Sequence, residues 1–209
     1  MLDNFLFMLY TIIVALTSTK RIVVDCRKRD KTRHTTQSKG DNMGTRNLSL
    51  CKLNGEYRIA NYGQWDGYPS GQGATILAFC TKPQNLKRLK QILNIGVVRF
   101  MSSDDVETFS RELDCKNKAY INHYSLFNSR DVGGNIFRNI IERSNEYAEV
   151  LLVNSIDFLQ NKLSCEWAYC INYDTNELEV YSSGDLIKTY DLDNLPSEDT
   201  FINELEGGL

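Results

Sequence analysis

The residues whose types and spacing are suited to chemistry gather in one short run, Tyr62-Gly63-Gln64-Trp65-Asp66-Gly67-Tyr68-Pro69-Ser70-Gly71-Gln72-Gly73. Glycine allows close backbone approach to a ligand, aromatic faces stack on flat or sugar-like groups, and Gln and Asp add directional hydrogen bonds. The glycine spacing, G-x-x-x-G-x-x-x-G-x-G, is neither a Walker loop nor a dinucleotide fingerprint. Free backbone N–H groups near Gly71 and Gly73, at the start of a following helix, would suit a phosphate. A second reading is purely structural: a tight loop whose Trp65 and Tyr68 plug the core. The candidate ligand-binding set is Tyr62, Gln64, Trp65, Asp66 and Tyr68 from this run, Thr45 and Arg46 before it, and Arg130 and Asp131 from a later turn.

The run has to be held by the elements around it. Residues 46–53 and 56–62 flank Asn54-Gly55, which supplies the two positive φ values of a type I′ turn, so a β-hairpin is expected. With Leu53 opposite Glu56, the pairing places Leu48, Leu50, Tyr57 and Ile59 on one face of a two-strand edge. Extended outward, the same register sets Met43 opposite Asp66 and Gly44 opposite Trp65. If Met43 is the start and is removed, the amine of Gly44 lies beside the loop.

Together, Met43-Gly44-Thr45-Arg46-Asn47-Leu48, the run at 62–73, Ser129-Arg130-Asp131 with Gly133, and Glu166-Trp167-Ala168-Tyr169 resemble a family of bacteriophage and fungal proteins. The resemblance spans about residues 43–209 and implies a start at Met43 and a viral or phage-type protein, without supplying an activity. Asn172 stands where such relatives tend to carry Asp. The layout is also similar, more distantly, to N-terminal-nucleophile hydrolases, whose first hairpin brings Arg, Asn or Asp back to the terminal amine. Gly44 departs from that pattern, because it has no side-chain nucleophile and Thr45 is second in line.

Asp131 is placed to cap the helix that follows it, leaving Arg130 free for an acidic ligand or for Asp66. Glu166 stands at a strand mouth, within range of Arg46 or Arg130. His123 is the one histidine after residue 42, so a Ser-His-Asp triad or a His-based metal site would have to include it. On a strand over 119–126 it reads as a surface or satisfied histidine. The basic residues Lys82, Lys87, Arg88 and Lys90 read as a solvated helix face, and no nucleic-acid footprint is expected in an acidic domain.

Further along, Ser70 is expected to cap a helix over 71–80, and Pro83 to open another that ends at Gly96. Residues 97–101 suggest a short strand, and Ser103 with Asp104, Asp105 and Glu107 a short helix. A helix carries Ile136, Phe137, Ile140, Ile141 and Tyr147 on one side. A second hairpin turns at Asp174-Thr175-Asn176, and Ser197 caps a last helix. Two hairpins with intervening helices make a single α+β domain over 43–209, with a distant similarity of layout to N-terminal-nucleophile hydrolases.

Residues 1–42 carry eight basic against four acidic side chains, whereas the remainder carries 16 against 23. The apolar run 5–16 is shorter than the roughly 20 residues of a transmembrane helix. It is preceded by Asp3 rather than by a basic residue. The segment reads as a disordered or non-native extension, and a membrane role rests on that run acting as an anchor. The whole chain has 209 residues and net charge −3, which gives no general attraction to nucleic acid or anionic lipid. Six cysteines without a C-x-x-C read as reduced, mostly buried thiols of a cytoplasmic protein, with no metal and no cofactor. The expected function is that of a soluble binding or interaction module acting through 62–73 on a host protein or a small polar ligand. The alternative is a hydrolase of an amide or nucleotide-like small molecule, with a pocket around Asp66.

Overall fold

Asn54 (φ 58°) and Gly55 (φ 78°) make the left-handed turn that their types require. They join strand β1, Asn47–Leu53, to β2, Glu56–Gly63. The two turn N–H groups also donate to the Asp174 carboxylate, at 2.7 and 2.8 Å. The computed structural model describes residues 44–207. The expectations for residues 1–42 and for Met43, including the apolar run 5–16, lie outside the described residues.

The hairpin begins in the expected register, Leu53 opposite Glu56 and Lys52 opposite Tyr57, and then slips. Cys51 pairs with Ile59, so Arg58 is an extra residue in β2, and Asn47 reaches Gly63. A one-residue slip moves side chains to the other face. Ile59 therefore packs with Cys51 and Leu53, while Leu48 and Leu50 pack with Ala60. This corrects the face assignment made from the uninterrupted register. The pair is also no isolated edge: β1 runs parallel to β5, Trp167–Asn172, giving the mixed sheet β2-β1-β5-β6-β7. Strands β6, Glu177–Ser182, and β7, Asp185–Asp191, complete it in antiparallel fashion, β7 being an addition to the expected second hairpin.

One sheet face packs on helices α1, Ala74–Cys80, α2, Pro83–Ile95, α5, Ile136–Arg143, and α6, Glu198–Glu206, through Ile76, Leu77, Leu89, Phe137 and Phe201. The other face, built on Leu48, Leu50, Ala168 and Cys170, is covered by Ile156, Phe158 and Leu159 of a 3₁₀ segment, Ile156–Gln160. Both faces being covered explains why β1 and β5 are buried almost throughout. A small parallel pair, β3 (Val98–Phe100) with β4 (Val150–Leu152), lies beside β2. Helix α3, Ser103–Asp114, starts at Ser102 with a reciprocal Asp105 cap. The result is a single α+β domain.

Residues expected as a strand over 119–126 form helix α4, Lys118–Phe127. Its aromatic and β-branched content suits a strand, but a buried cluster decides otherwise. His123 and Phe127, four residues apart, both meet the Tyr147 ring, an arrangement that only helical spacing provides. Ser70 does not cap α1: a π-helical turn, Pro69–Gly73, precedes that helix, and the Ser70 N–H donates to Glu206 Oε1 at 2.8 Å. Ser197 caps α6 as expected. Among the described residues, no helix is long and apolar enough to cross a membrane. Cys51, Cys80, Cys165 and Cys170 are buried free thiols.

Candidate functional site

The 62–73 run is knotted to the end of the sheet from both sides. The Gly67 N–H donates to the Thr45 carbonyl at 3.0 Å, and the buried Tyr169 hydroxyl donates to the Gly67 carbonyl at 2.9 Å. Asn47, fully buried, donates from Nδ2 to the Trp65 carbonyl at 3.2 Å. The Gln72 side chain accepts the Gly134 N–H at 2.7 Å, tying the run to the start of α5. Glycine spacing here reflects packing: Gly63 and Gly67 lie against Asn47, and Gly73 against the Tyr169 ring. To that extent the structural reading of the loop holds.

Its aromatic residues nevertheless do not plug the core. Trp65 is 39% exposed and Tyr68 46%. The Trp65 indole N–H donates to Asp131 Oδ1 at 2.9 Å, and the Arg130 guanidinium stands over the indole, 5.9 Å from the ring centroid. Asp131 thus orients Trp65 rather than capping a helix, since the 3₁₀ turn Gly133–Asn135 that leads into α5 has Val132 at its cap position. The Gln64 N–H donates to the Arg130 carbonyl at 2.9 Å, which pins this later turn to the end of β2. The Tyr62 hydroxyl donates to Gln64 Oε1 at 2.6 Å. Burial pushes the Tyr62 hydroxyl above its ordinary pKa, with Arg46 and Arg130 pulling the other way, so it remains a donor at neutral pH.

Asp66, expected at the centre of a pocket, lines neither of the two recesses described below. It is exposed, sits at φ 56° and lies against Gly71, and its backbone carbonyl accepts the Gln72 N–H at 2.8 Å. Among the described residues its carboxylate has no hydrogen-bond or ion-pair partner. Thr45 is 8% exposed and contributes its backbone. Arg46 is met by Glu166, whose Oε1 accepts the Arg46 N–H at 3.2 Å and lies 4.0 Å from Nε. His123 is buried in an aromatic cluster and accepts the Leu151 N–H at 3.1 Å, so it is not part of this surface. The structure therefore brings together Tyr62, Gln64, Trp65, Arg130 and Asp131, leaves Asp66 and Tyr68 on the loop surface, and turns Thr45 inward. Asp66→Asn is accordingly expected to leave the melting temperature unchanged, because Asn tolerates positive φ as well as Asp does and no partner is lost. A drop of several degrees in a thermal melt would contradict this.

Sequence reading missed the recess next to this surface. A cavity of about 330 Å³ is lined by Asn61, Tyr62, Tyr124, Asn128, Arg130, Val153 and Ser155. These residues come from β2, from α4 and the turn after it, and from the segment after β4. Tyr62 and Arg130 belong to the motifs already named, but no local motif announces the other five, and the one periodic signal, the helical spacing of Tyr124 with Asn128, is hidden when 119–126 is read as a strand. A larger recess of about 530 Å³ lies elsewhere, between Pro83, Leu86, Lys87 and Lys90 of α2 and Leu192, Asp193 and Leu195. Among the described residues no group of three His, Cys, Asp or Glu side chains is placed to hold a metal ion. Comparison of the chain with family models, curated proteins and solved structures finds no match.

Proposed function

We propose that this domain is a binding module whose contact surface is the exposed indole of Trp65, flanked by Arg130 and Asp131, with the exposed Tyr68 on the same loop. The observation that carries the reading is the Trp65 arrangement. Its indole N–H is fixed by Asp131 and its face is covered by Arg130, while more than a third of the residue faces solvent. Ordering an aromatic anchor before binding lowers the entropic cost of association, and Trp, Tyr and Arg are the residue types that dominate interface energetics. The knot beneath the loop holds this anchor on rigid backbone. Asp66 is exposed and, among the described residues, its carboxylate has no hydrogen-bond or ion-pair partner that would fix it as the acid or base of the hydrolase alternative. The motif resemblance to bacteriophage and fungal proteins makes a host component the first partner class to examine.

The test is to pan a displayed random-peptide library against the full chain and to measure each recovered clone on Trp65→Ala. Most clones are expected to lose about 2 kcal/mol or more of binding, as for a central aromatic anchor. Circular dichroism of the variant should match that of the parent chain. Clones that bind Trp65→Ala as tightly as the parent would overturn the assignment.

A further inference from the structure

The recess beside β2 presents unmatched polar groups of a particular kind. Arg130 has no ion-pair partner among the described residues, because its neighbour Asp131 is taken by the Trp65 indole. Asn61 is 7% exposed, its Nδ2 reaches the Gly133 carbonyl only at 3.4 Å, and its Oδ1 has no partner among the described residues. Ser155 gives its backbone N–H to the Ala60 carbonyl, and its hydroxyl has no partner among the described residues. Asn128 is fully engaged, donating to the Leu151 carbonyl at 2.9 Å and accepting the Val153 N–H at 2.7 Å, so it fixes the wall rather than the ligand. Apolar surface comes from Tyr124, 40% exposed, and Val153, 45% exposed.

Arg130 and Asn61 both line this recess, and a guanidinium with an unpartnered amide oxygen calls for a negative group beside an N–H. The guanidinium fork matches a carboxylate through two parallel hydrogen bonds. Asn61 Oδ1 can only accept, so a second anionic oxygen there would be repelled, which disfavours a phosphate served by this single cation. A cavity of 330 Å³ is at the small end of the ligand-pocket range, roughly 300–1,000 Å³, and suits a residue rather than a whole nucleotide. The geometry points to the C-terminal residue of a peptide as the occupant. Its carboxylate meets Arg130, its amide N–H meets Asn61 Oδ1, and its side chain lies on Tyr124 and Val153. This assignment rests on the binding-module reading and names the chemistry that the same surface recognises, with Trp65 contacting the residues that precede the terminus.

The test titrates the full ¹⁵N-labelled chain with acetyl-glycyl-leucine, with its C-terminal amide and with free leucine. The acid is expected to shift the Asn61 side-chain amide resonances to saturation. Its amide counterpart should bind at least about tenfold more weakly, as should the acid on Arg130→Gln, each having lost a charge-assisted hydrogen bond. Arg130 is exposed, so that variant should keep the parent fold, with spectral changes confined to the surroundings of Trp65. Free leucine binding as tightly as the acid would support the same carboxylate-plus-N–H chemistry and assign its source to a free amino acid. Much weaker free leucine would assign it to a peptide terminus. Equal binding of acid and amide, unchanged binding on Arg130→Gln, or no shift at Asn61 would each overturn the proposal. Failure here with Trp65-dependent peptide capture intact removes the terminal-residue assignment alone. Loss of Trp65 dependence in the displayed library removes the wider reading.

Discussion

Gly67→Ala is expected to cost about 3 kcal/mol of stability for the addition of one methyl group. A β-carbon at Gly67 would stand 2.8 Å from the Thr45 carbonyl oxygen, 2.9 Å from Asn47 Cβ and 3.2 Å from the Arg46 carbonyl oxygen. Two of those neighbours are backbone at the entrance to β1, so the strain cannot be relieved by turning a flexible side chain. Relief requires the loop to lift from the strand, which breaks the Gly67 N–H bond to Thr45 and withdraws the Gly67 carbonyl from the Tyr169 hydroxyl. Tyr169 is fully buried, so its hydroxyl would be left without water or partner. A double-mutant cycle with Tyr169→Phe separates these contributions. If the methyl acts by displacing the Gly67 carbonyl, the double variant should cost clearly less than the two single changes added together. Urea midpoints on the four proteins decide it. A Gly67→Ala midpoint within error of the parent would show that the loop is not clamped.

That clamp also marks where sequence reading stopped. Asn54-Gly55, Pro83 and Ser197 are legible because each acts through its own backbone angles or a neighbour three residues away, and all three do what their types imply. The glycines of 62–73 invite a functional reading because the sequence shows their spacing without the partners, Asn47 and Tyr169, that make the spacing necessary. The extra residue at Arg58 has no sequence mark, since a bulge costs one position in a register that looks sound on both sides. It decides which face Ile59 takes. The site was half legible. Trp65, Arg130 and Asp131 could be named as a set, but their contacts with one another depend on the turn after α4 lying against the end of β2. Asn61, Tyr124, Val153 and Ser155 could not be named, because three separate elements bring them together.

The domain is also expected to lose about 3 kcal/mol of stability between pH 7 and pH 4 through His123 alone. The ring is 5% exposed and contacts Phe109, Phe127 and Tyr147 at centroid distances of 5.2, 5.0 and 5.1 Å. Its Nε2 accepts the Leu151 N–H at 3.1 Å, so the neutral ring carries its proton on Nδ1. Burial pushes the pKa down to about 4, opposed in part by the Glu149 backbone. In the unfolded chain the same residue titrates near its ordinary value of about 6.5. Between those two values the unfolded chain binds a proton that the folded chain refuses, so stability rises with pH across the window and is lost as pH falls through it. Below about pH 4 the folded state takes the proton too, and the ring then turns a donor toward the Leu151 N–H at the edge of β4. Carboxylates titrate in the lower part of the same range, so the comparison must be made against a variant. His123→Gln keeps an acceptor for the Leu151 N–H and cannot protonate. Urea unfolding at pH 7, 5.5 and 4 should show the parent falling by about 3 kcal/mol more than His123→Gln, with most of the difference developing below pH 6.5. Parallel pH dependence in the two proteins would mean that the ring is hydrated in the folded state and that α4 does not hold β4 through it.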